Sequence, residues 1–240
     1  MRKDHRPYWV KKAYLTFRAF YAKRFLAPHC DFLGDHGTYM KPWYTDISGP
    51  NIRIGHCVTL ISEKYAPVKI GVWGHEPDSG EIHIGDYVLI SPGCRISACD
   101  QIHIGNSVMM ANGVYITDSD WHGIYNRVDR PKEKRPVIIG DNVWLGDGCT
   151  ILKGVTIGEN SIVAANAVVT KAVPQNVIVA GNPAKVVKAL DPDESFTTRA
   201  DFFSDPIALS RFYEGIDKMV LKGNGFWHWL RTLWFPVQGD

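Results

Sequence analysis

The chain has 240 residues, 45% of them apolar, and a formal net charge of +2. That is ample apolar material for a core, and so small a charge argues against nucleic acid as the main partner. No apolar run is long enough to span a bilayer and no signal-peptide core follows Met1, so the chain reads as cytoplasmic.

Charge is nevertheless uneven. Residues 1–25 hold eight Lys or Arg and one acid, Asp4, interleaved with Trp9, Tyr14, Phe17, Phe20, Tyr21 and Phe25. This is a basic, aromatic helix candidate that stops near Pro28. Residues 29–51 read as irregular, so 1–51 forms an N-terminal extension. Such a segment can cap the open end of the domain that follows, which the reading favours. It can also touch the inner face of an anionic membrane.

From Ile52 a six-residue beat begins. It runs through Ile54 and Leu60, then Ile84, Ile90 and Ile96, then Ile104, Met110 and Ile116. It resumes at Ile139, Leu145, Ile151, Ile157, Val163 and Val169. Two residues before each of the last six stand Val137, Val143, Cys149, Val155, Ser161 and Ala167, all small or β-branched. A fixed period means one unit stacked many times. A hexapeptide is too short for a helix and alternates apolar with polar residues, as strands do. Three such units make a triangular turn, so residues 52–190 are expected to form an all-β solenoid, a parallel β-helix with the aliphatic position inside. Spacing alone does not fix its hand.

The beat is interrupted at 61–81, which contains Trp73 and His75. The step from Ile96 to Ile104 adds two residues around Cys99 and Asp100. A longer insertion, 117–136, carries His122 among Asp118, Asp120 and Trp121, followed by Arg127 and a basic run. Loops this long in compact domains are usually functional or disordered. A histidine beside carboxylates can act as a general base, with Asp118 or Asp120 orienting its ring. Capping the loop or meeting Arg127 is the equal alternative for the two acids.

Beyond 190 the beat ends, and residues 191–240 form a C-terminal helical extension. Ser204-Asp205-Pro206 opens a helix expected to reach Lys222, with Ser204 or Asp205 as cap and Pro206 in the first turn. The tail, FWHWLRTLWFP, is aromatic-rich. Five cysteines show neither zinc nor disulfide spacing, and Cys94 and Cys149 fall on inward positions of the repeat. No metal is expected.

The stretch from Gly113 to Lys188 resembles the hexapeptide-repeat acetyltransferases of the galactoside, maltose and nodulation type. The matching segments are ITDSDWHGIYNR, PVIIGDNVWLGDGCTILKGVTIGENSIVAANAVVTKAVP and VIVAGNPAKVVK. The resemblance implies a left-handed β-helix, against the usual crossover rule. It implies acetyl-CoA as co-substrate, a sugar or glycan acceptor, and a homotrimer with active sites between subunits. His122, the histidine of the loop, matches the family's catalytic base, whose ring is oriented in several relatives by a backbone carbonyl instead of a carboxylate. By the same alignment Trp144 lines the CoA groove, and Ala164 and Ala165 present backbone to pantetheine. Thr170, Lys171, Lys185 and Lys188 lie toward the adenosine phosphates. Relatives hold the acceptor with an Asn whose position is Ser91 here, a departure that bears on sugar specificity. Asp100, Tyr125 and Arg127 are further acceptor candidates, and Trp73 and His75 could close over it. The implied activity is O- or N-acetyl transfer to a saccharide in surface polysaccharide or lipopolysaccharide assembly.

Three other readings compete. A γ-type carbonic anhydrase shares the solenoid but needs three zinc histidines, and His56, His75, His83, His103 and His122 lack that family's spaced pair. A non-catalytic scaffold would need neither the loop histidine nor Trp144. Serine acetyltransferases carry an N-terminal helical domain far larger than residues 1–51.

Overall fold

The computed structural model of the protein describes residues 3–74, 76, 79–129 and 135–237. Helix α1 (Tyr8–Tyr21) runs into a wider π turn (Ala22–Leu26) and a short 3-10 turn (Ala27–His29). Six triangular coils follow. The first comprises β1 (Phe32–Leu33), β2 (Thr38–Met40) and β3 (Asp46–Ser48), and the second β4 (Ile52–Ile54), β5 (Thr59–Ile61) and β6 (Lys69–Val72). The third is β7 (Glu81–Ile84), β8 (Leu89–Ile90) and β9 (Arg95–Ala98), and the fourth β10 (Gln101–Ile104), β11 (Met109–Met110) and β12 (Tyr115–Thr117). The fifth is β13 (Val137–Ile139), β14 (Trp144–Leu145) and β15 (Thr150–Ile151), and the sixth β16 (Thr156–Ile157), β17 (Ile162–Val163) and β18 (Val168–Val169). Then β19 (Val177–Ala180) extends the second face, and β20 (Lys185–Ala189) turns back antiparallel against it.

Equivalent strands pair in parallel, giving three sheets that form the walls of a left-handed β-helix. Sheet A carries the first strand of each coil, sheet B the second, sheet C the third. Register is kept from coil to coil, as in the run Ile54, Ile84, Ile104, Ile139, Ile157. These five side chains are buried, as are the inward residues of the other two sheets. A single coil could not exclude water from its own interior, whereas stacked coils bury every inward aliphatic on its equivalent above and below.

The solenoid begins about twenty residues earlier than the beat suggests. Residues 32–48, expected to be irregular, form the complete first coil, paired strand for strand with the second. Its inward residues are Leu33, Tyr39 and Ile47. An aromatic among them and an eight-residue step hide the period. An end coil also faces a cap on one side, so it need not repeat. The 61–81 interruption likewise resolves into two loops, 62–68 and 73–80, on either side of the regular strand β6. His75, within the second, lies outside the described residues.

The corner between sheets A and B shows how the repeat turns. Asn142, Asn160 and Asn176 occupy its left-handed position, with φ of 55°, 60° and 58°. Their side chains form a ladder: Asn142 Nδ2 donates to Asn160 Oδ1 at 3.0 Å, and Asn160 Nδ2 to Asn176 Oδ1 at 2.9 Å. Asparagine tolerates this backbone region better than other side chains.

Both extensions pack on the solenoid's first end. Ala22 and Leu26 belong to the core cluster, sealing the first coil. Trp43 receives Tyr14, Phe17 and Tyr21 from α1. The C-terminal segment returns along the solenoid through α2 (Arg199–Phe202), where Arg199 donates to Tyr87 O at 2.5 Å and Thr59 Oγ1 at 2.9 Å. Helix α3 (Pro206–Val220) is capped by Asp205, whose carboxylate accepts from the amides of Ile207 and Ala208, as the sequence leads one to expect. Helix α4 (Phe226–Trp234) follows. Lys11 pairs with Asp217 at 2.5 Å, Tyr8 Oη donates to Glu214 at 2.5 Å, and Trp9 stacks on Phe226. The two ends therefore form one cap, with Trp9, Trp227 and Trp234 left exposed. Among the described residues no helix is long and apolar enough to cross a membrane.

Replacing Asn160 by Ala removes both ladder bonds and puts an ordinary side chain in the left-handed region. The expected cost is about 2 kcal/mol, against about 1 for Gly, which keeps the backbone. Urea unfolding of the two variants would read the difference.

Candidate active site

The loop after β12 is built from its base outward. Thr117 ends the strand facing out, and its hydroxyl accepts from Trp121 Nε1 at 3.1 Å while donating to Ser119 O at 3.2 Å. Trp121 takes a left-handed turn, with φ of 65°, which swings His122 away from the solenoid. Gly123 then makes a tight reversal: a Cβ there would lie 2.5 Å from Asn126 O. Its amide bonds to Asp129 O at 3.0 Å. The reversal brings the carbonyl of Arg127 to 3.0 Å from His122 Nδ1. A carbonyl oxygen only accepts, so Nδ1 carries the ring proton and Nε2 keeps its lone pair. The side chain of His122 is exposed, with Nε2 free to take a proton.

Neither acid expected to orient this ring does so. Asp118 is fully buried, and its carboxylate accepts from the amides of Cys99 at 2.7 Å and Asp100 at 2.8 Å. It thereby holds the two-residue bulge one coil below. Burial pushes its carboxyl above the usual range, opposed by those amide bonds. Asp120 reaches forward and pairs with Lys153 at 2.5 Å, while its carbonyl accepts from the amide of His122. Sequence reasoning missed Lys153, which tethers the loop to the fifth coil. It also missed Thr117 and gave no role to Trp121; together they brace the base. Arg127, expected near the acceptor, is used inside the loop: its Nε donates to Ile124 O at 2.8 Å. Tyr125, by contrast, is 99% exposed. Of the basic run from Lys132 to Arg135, residues 132–134 lie outside the described residues.

The remaining candidates fall into two groups. Along the corner between sheets C and A stand Asp100 in the third coil, the His122 loop in the fourth, Lys153 in the fifth, and Thr170 and Lys171 in the sixth. Strand spacing separates neighbouring coils by about 4.8 Å. The other group lies on sheet B and the corner beyond it. Trp144 projects from sheet B between Met109 and Ile162, 48% exposed. Ala164 and Ala165 form the corner between sheets B and C. Lys185 and Lys188 lie on β20, where Lys188 faces Ile178 in register. Ser91 is at the same corner as the alanines, across sheet C from the edge that carries His122. One copy of the chain thus brings Asp100, His122, Thr170 and Lys171 to one edge. It sets Trp144, Ala164, Ala165, Lys185, Lys188 and Ser91 away from it.

Among the described residues no group of three or more His, Cys, Asp or Glu is placed to hold a metal ion. His83 and His103 do meet edge to face across sheet A, with ring centroids 4.7 Å apart.

The family model for bacterial transferase hexapeptide (six repeats) matches residues 136–171. WbbJ of Escherichia coli (strain K12), assigned as a lipopolysaccharide biosynthesis O-acetyl transferase, is 33% identical over 132 residues, covering 50% of this chain and 67% of that protein. The galactoside O-acetyltransferase of the same strain is 32% identical over 161 residues, covering 66% of this chain and 64% of that enzyme. The chain thus spans about two thirds of these two relatives. It spans only 32% of YJL218W, an acetyltransferase by assignment from Saccharomyces cerevisiae (strain ATCC 204508 / S288c), at 52% identity over 63 residues. Among solved structures, a variant of AntD, an N-acyltransferase from Bacillus cereus in complex with dTDP-4-amino-4,6-dideoxyglucose and coenzyme A, superposes with a TM-score of 0.53. It is 15% identical and covers 80% of this chain and 96% of its own, a likeness of fold.

Asp118→Ala would strand the Cys99 and Asp100 amides, an expected loss on the order of 3 kcal/mol. Asp118→Asn keeps one acceptor oxygen and should lose less. Thermal unfolding of both variants tests this assignment, since an acid that merely sat near His122 would leave stability unchanged.

Proposed function

The chain belongs to the hexapeptide-repeat acetyltransferases, and on that footing we propose that it carries an acetyl group from acetyl-CoA to a hydroxyl or amine of a saccharide, in surface polysaccharide or lipopolysaccharide assembly. The observation that carries this reading is the held imidazole of His122, proton on Nδ1 and lone pair on an exposed Nε2. The acceptor O–H or N–H gives its proton to Nε2 as its heavy atom bonds to the thioester carbonyl carbon. The C–S bond then breaks, and the sulfur leaves as the thiol with the proton returned from the imidazolium. No acyl-enzyme is needed. Burial holds the Cys94 thiol at about 11 and those of Cys30 and Cys149 at about 12, too high for a thiolate nucleophile at neutral pH.

The donor would lie against Trp144, Ala164 and Ala165, with Thr170, Lys171, Lys185 and Lys188 toward its phosphates. Lysine suits phosphate as a point charge. Because these residues divide between two sides of the prism, we read the site as shared by neighbouring copies in a homotrimer. Exposed Ile124, Tyr125 and Val128 on the loop, and Trp144 on sheet B, support this, since large apolar side chains of this kind call for cover. Ser91 and Asp100 remain our acceptor candidates. The exposed aromatics of the cap, with the basic N-terminal residues, support peripheral contact with the inner face of a membrane. A scaffold would have no use for an oriented imidazole.

Thiol release from acetyl-CoA, followed across a panel of saccharide acceptors, tests the reaction. His122→Ala should lower turnover by about 10²–10⁴ while acetyl-CoA still binds. Sharing of the site is tested by mixing. Co-expressed His122→Ala and Trp144→Ala chains should regain activity that neither pure variant has, because some interfaces then pair two intact halves. Trimeric mixtures that stay inactive would count against the shared site.

A further inference from the structure

Below the His122 loop, the outer face of sheet C opens into a groove of about 300 Å³. Its floor is Gly71, in the middle of strand β6, where glycine is normally unfavourable and often marks the close approach of another group. Here that group is the indole of Trp73. A Cβ on residue 71 would come within 2.7 Å of Trp73 Nε1, so the ring lies across the glycine. Trp73 is itself 54% exposed. Around this plate stand Asp46 and Lys69, cross-strand neighbours that form no ion pair among the described residues. Arg95 completes the rim. Its guanidinium stacks over Tyr115 and spends only Nε on Ser97 Oγ, at 3.1 Å. The groove thus offers a flat apolar ring, one carboxylate, one ammonium and the remaining guanidinium hydrogens, none of them committed elsewhere.

We propose that this groove is a saccharide subsite, and that the acceptor is a glycan of at least two sugar units rather than a free monosaccharide. The proposal rests on the transferase reading above and extends it. A sugar ring has apolar C–H faces for an indole and a rim of hydroxyls that both donate and accept, which suits Asp46 together with Lys69 and Arg95. The rim carries both signs, Asp46 beside Lys69 and Arg95, so it can both accept from and donate to hydroxyls. Gly71 lies two coils from Thr117, the base of the catalytic loop, in the run Gly71, Ser97, Thr117. Two coils are about 10 Å, the reach of a neighbouring unit in a chain whose acetylated unit lies at His122.

The test separates binding from turnover. His122→Ala protein is applied to an array of defined mono- to tetrasaccharides, alone and combined with Trp73→Ala or Gly71→Ala. The Gly71 backbone does not need a left-handed φ, so Gly71→Ala should fold and act by pushing the indole aside. Binding is expected to rise at least tenfold from mono- to oligosaccharide, and to fall at least tenfold in both second variants with unfolding temperature unchanged. Oligosaccharide binding unaffected by either variant, or no glycan bound, overturns the subsite. Because the array needs no turnover, Trp73-dependent binding of a glycan from which the unsubstituted protein gives no thiol release with acetyl-CoA would count against the transferase reading and leave the groove standing.

Discussion

Every other feature of this protein depends on one constraint: each coil must lie in register on the coil below. The inward aliphatics are buried because their equivalents cover them, and the parallel ladders of the three sheets run from coil to coil. One extra residue inside a strand would turn its apolar set outward. Among the described residues additional chain is therefore admitted at corners: at 62–68, after β6, at 99–100 and after β12. The catalytic loop is one of these admissions. It is anchored from below through the Thr117 strand end and from above by Lys153, so the rigid solenoid supplies both of its fixed points.

The same stacking makes the solenoid a ruler. Groups at one corner are spaced by whole coils, so a long co-substrate and a long acceptor can lie along the axis on opposite sides of one histidine. Lys171 stands two coils to one side of the loop and Trp73 two coils to the other. Specificity in such a molecule can change by editing one corner without disturbing the core.

What could be read in advance followed from where sequence carries physics. Inward positions from Ile52 onward, the parallel β-helix and the Asp205 cap were all legible, because periodicity and capping are local signals. The first coil was not, because Tyr39 replaces an aliphatic and its neighbour is eight residues away. Asp118 misled for a different reason. A carboxylate four residues from a histidine looks like its partner, yet the two amides freed by the 99–100 bulge needed an acceptor, and only the fold shows that Asp118 meets them. The group that does orient His122 is a backbone carbonyl, which has no signature in sequence at all.

The cap joins residues 4–12 to residues 214–228, with His5 against His228 and the Asn224 side chain donating to Asp4 O and Arg6 O. The chain is thereby closed into a ring. During synthesis Tyr14, Phe17 and Tyr21 meet Trp43 early, whereas Tyr8 and Lys11 must wait for Glu214 and Asp217, each 206 residues further on. The coils can stack in the order they leave the ribosome, but their first end is finished last. A circular permutant, opened at a corner loop and joined across the cap, would remove that delay while leaving every neighbour in place.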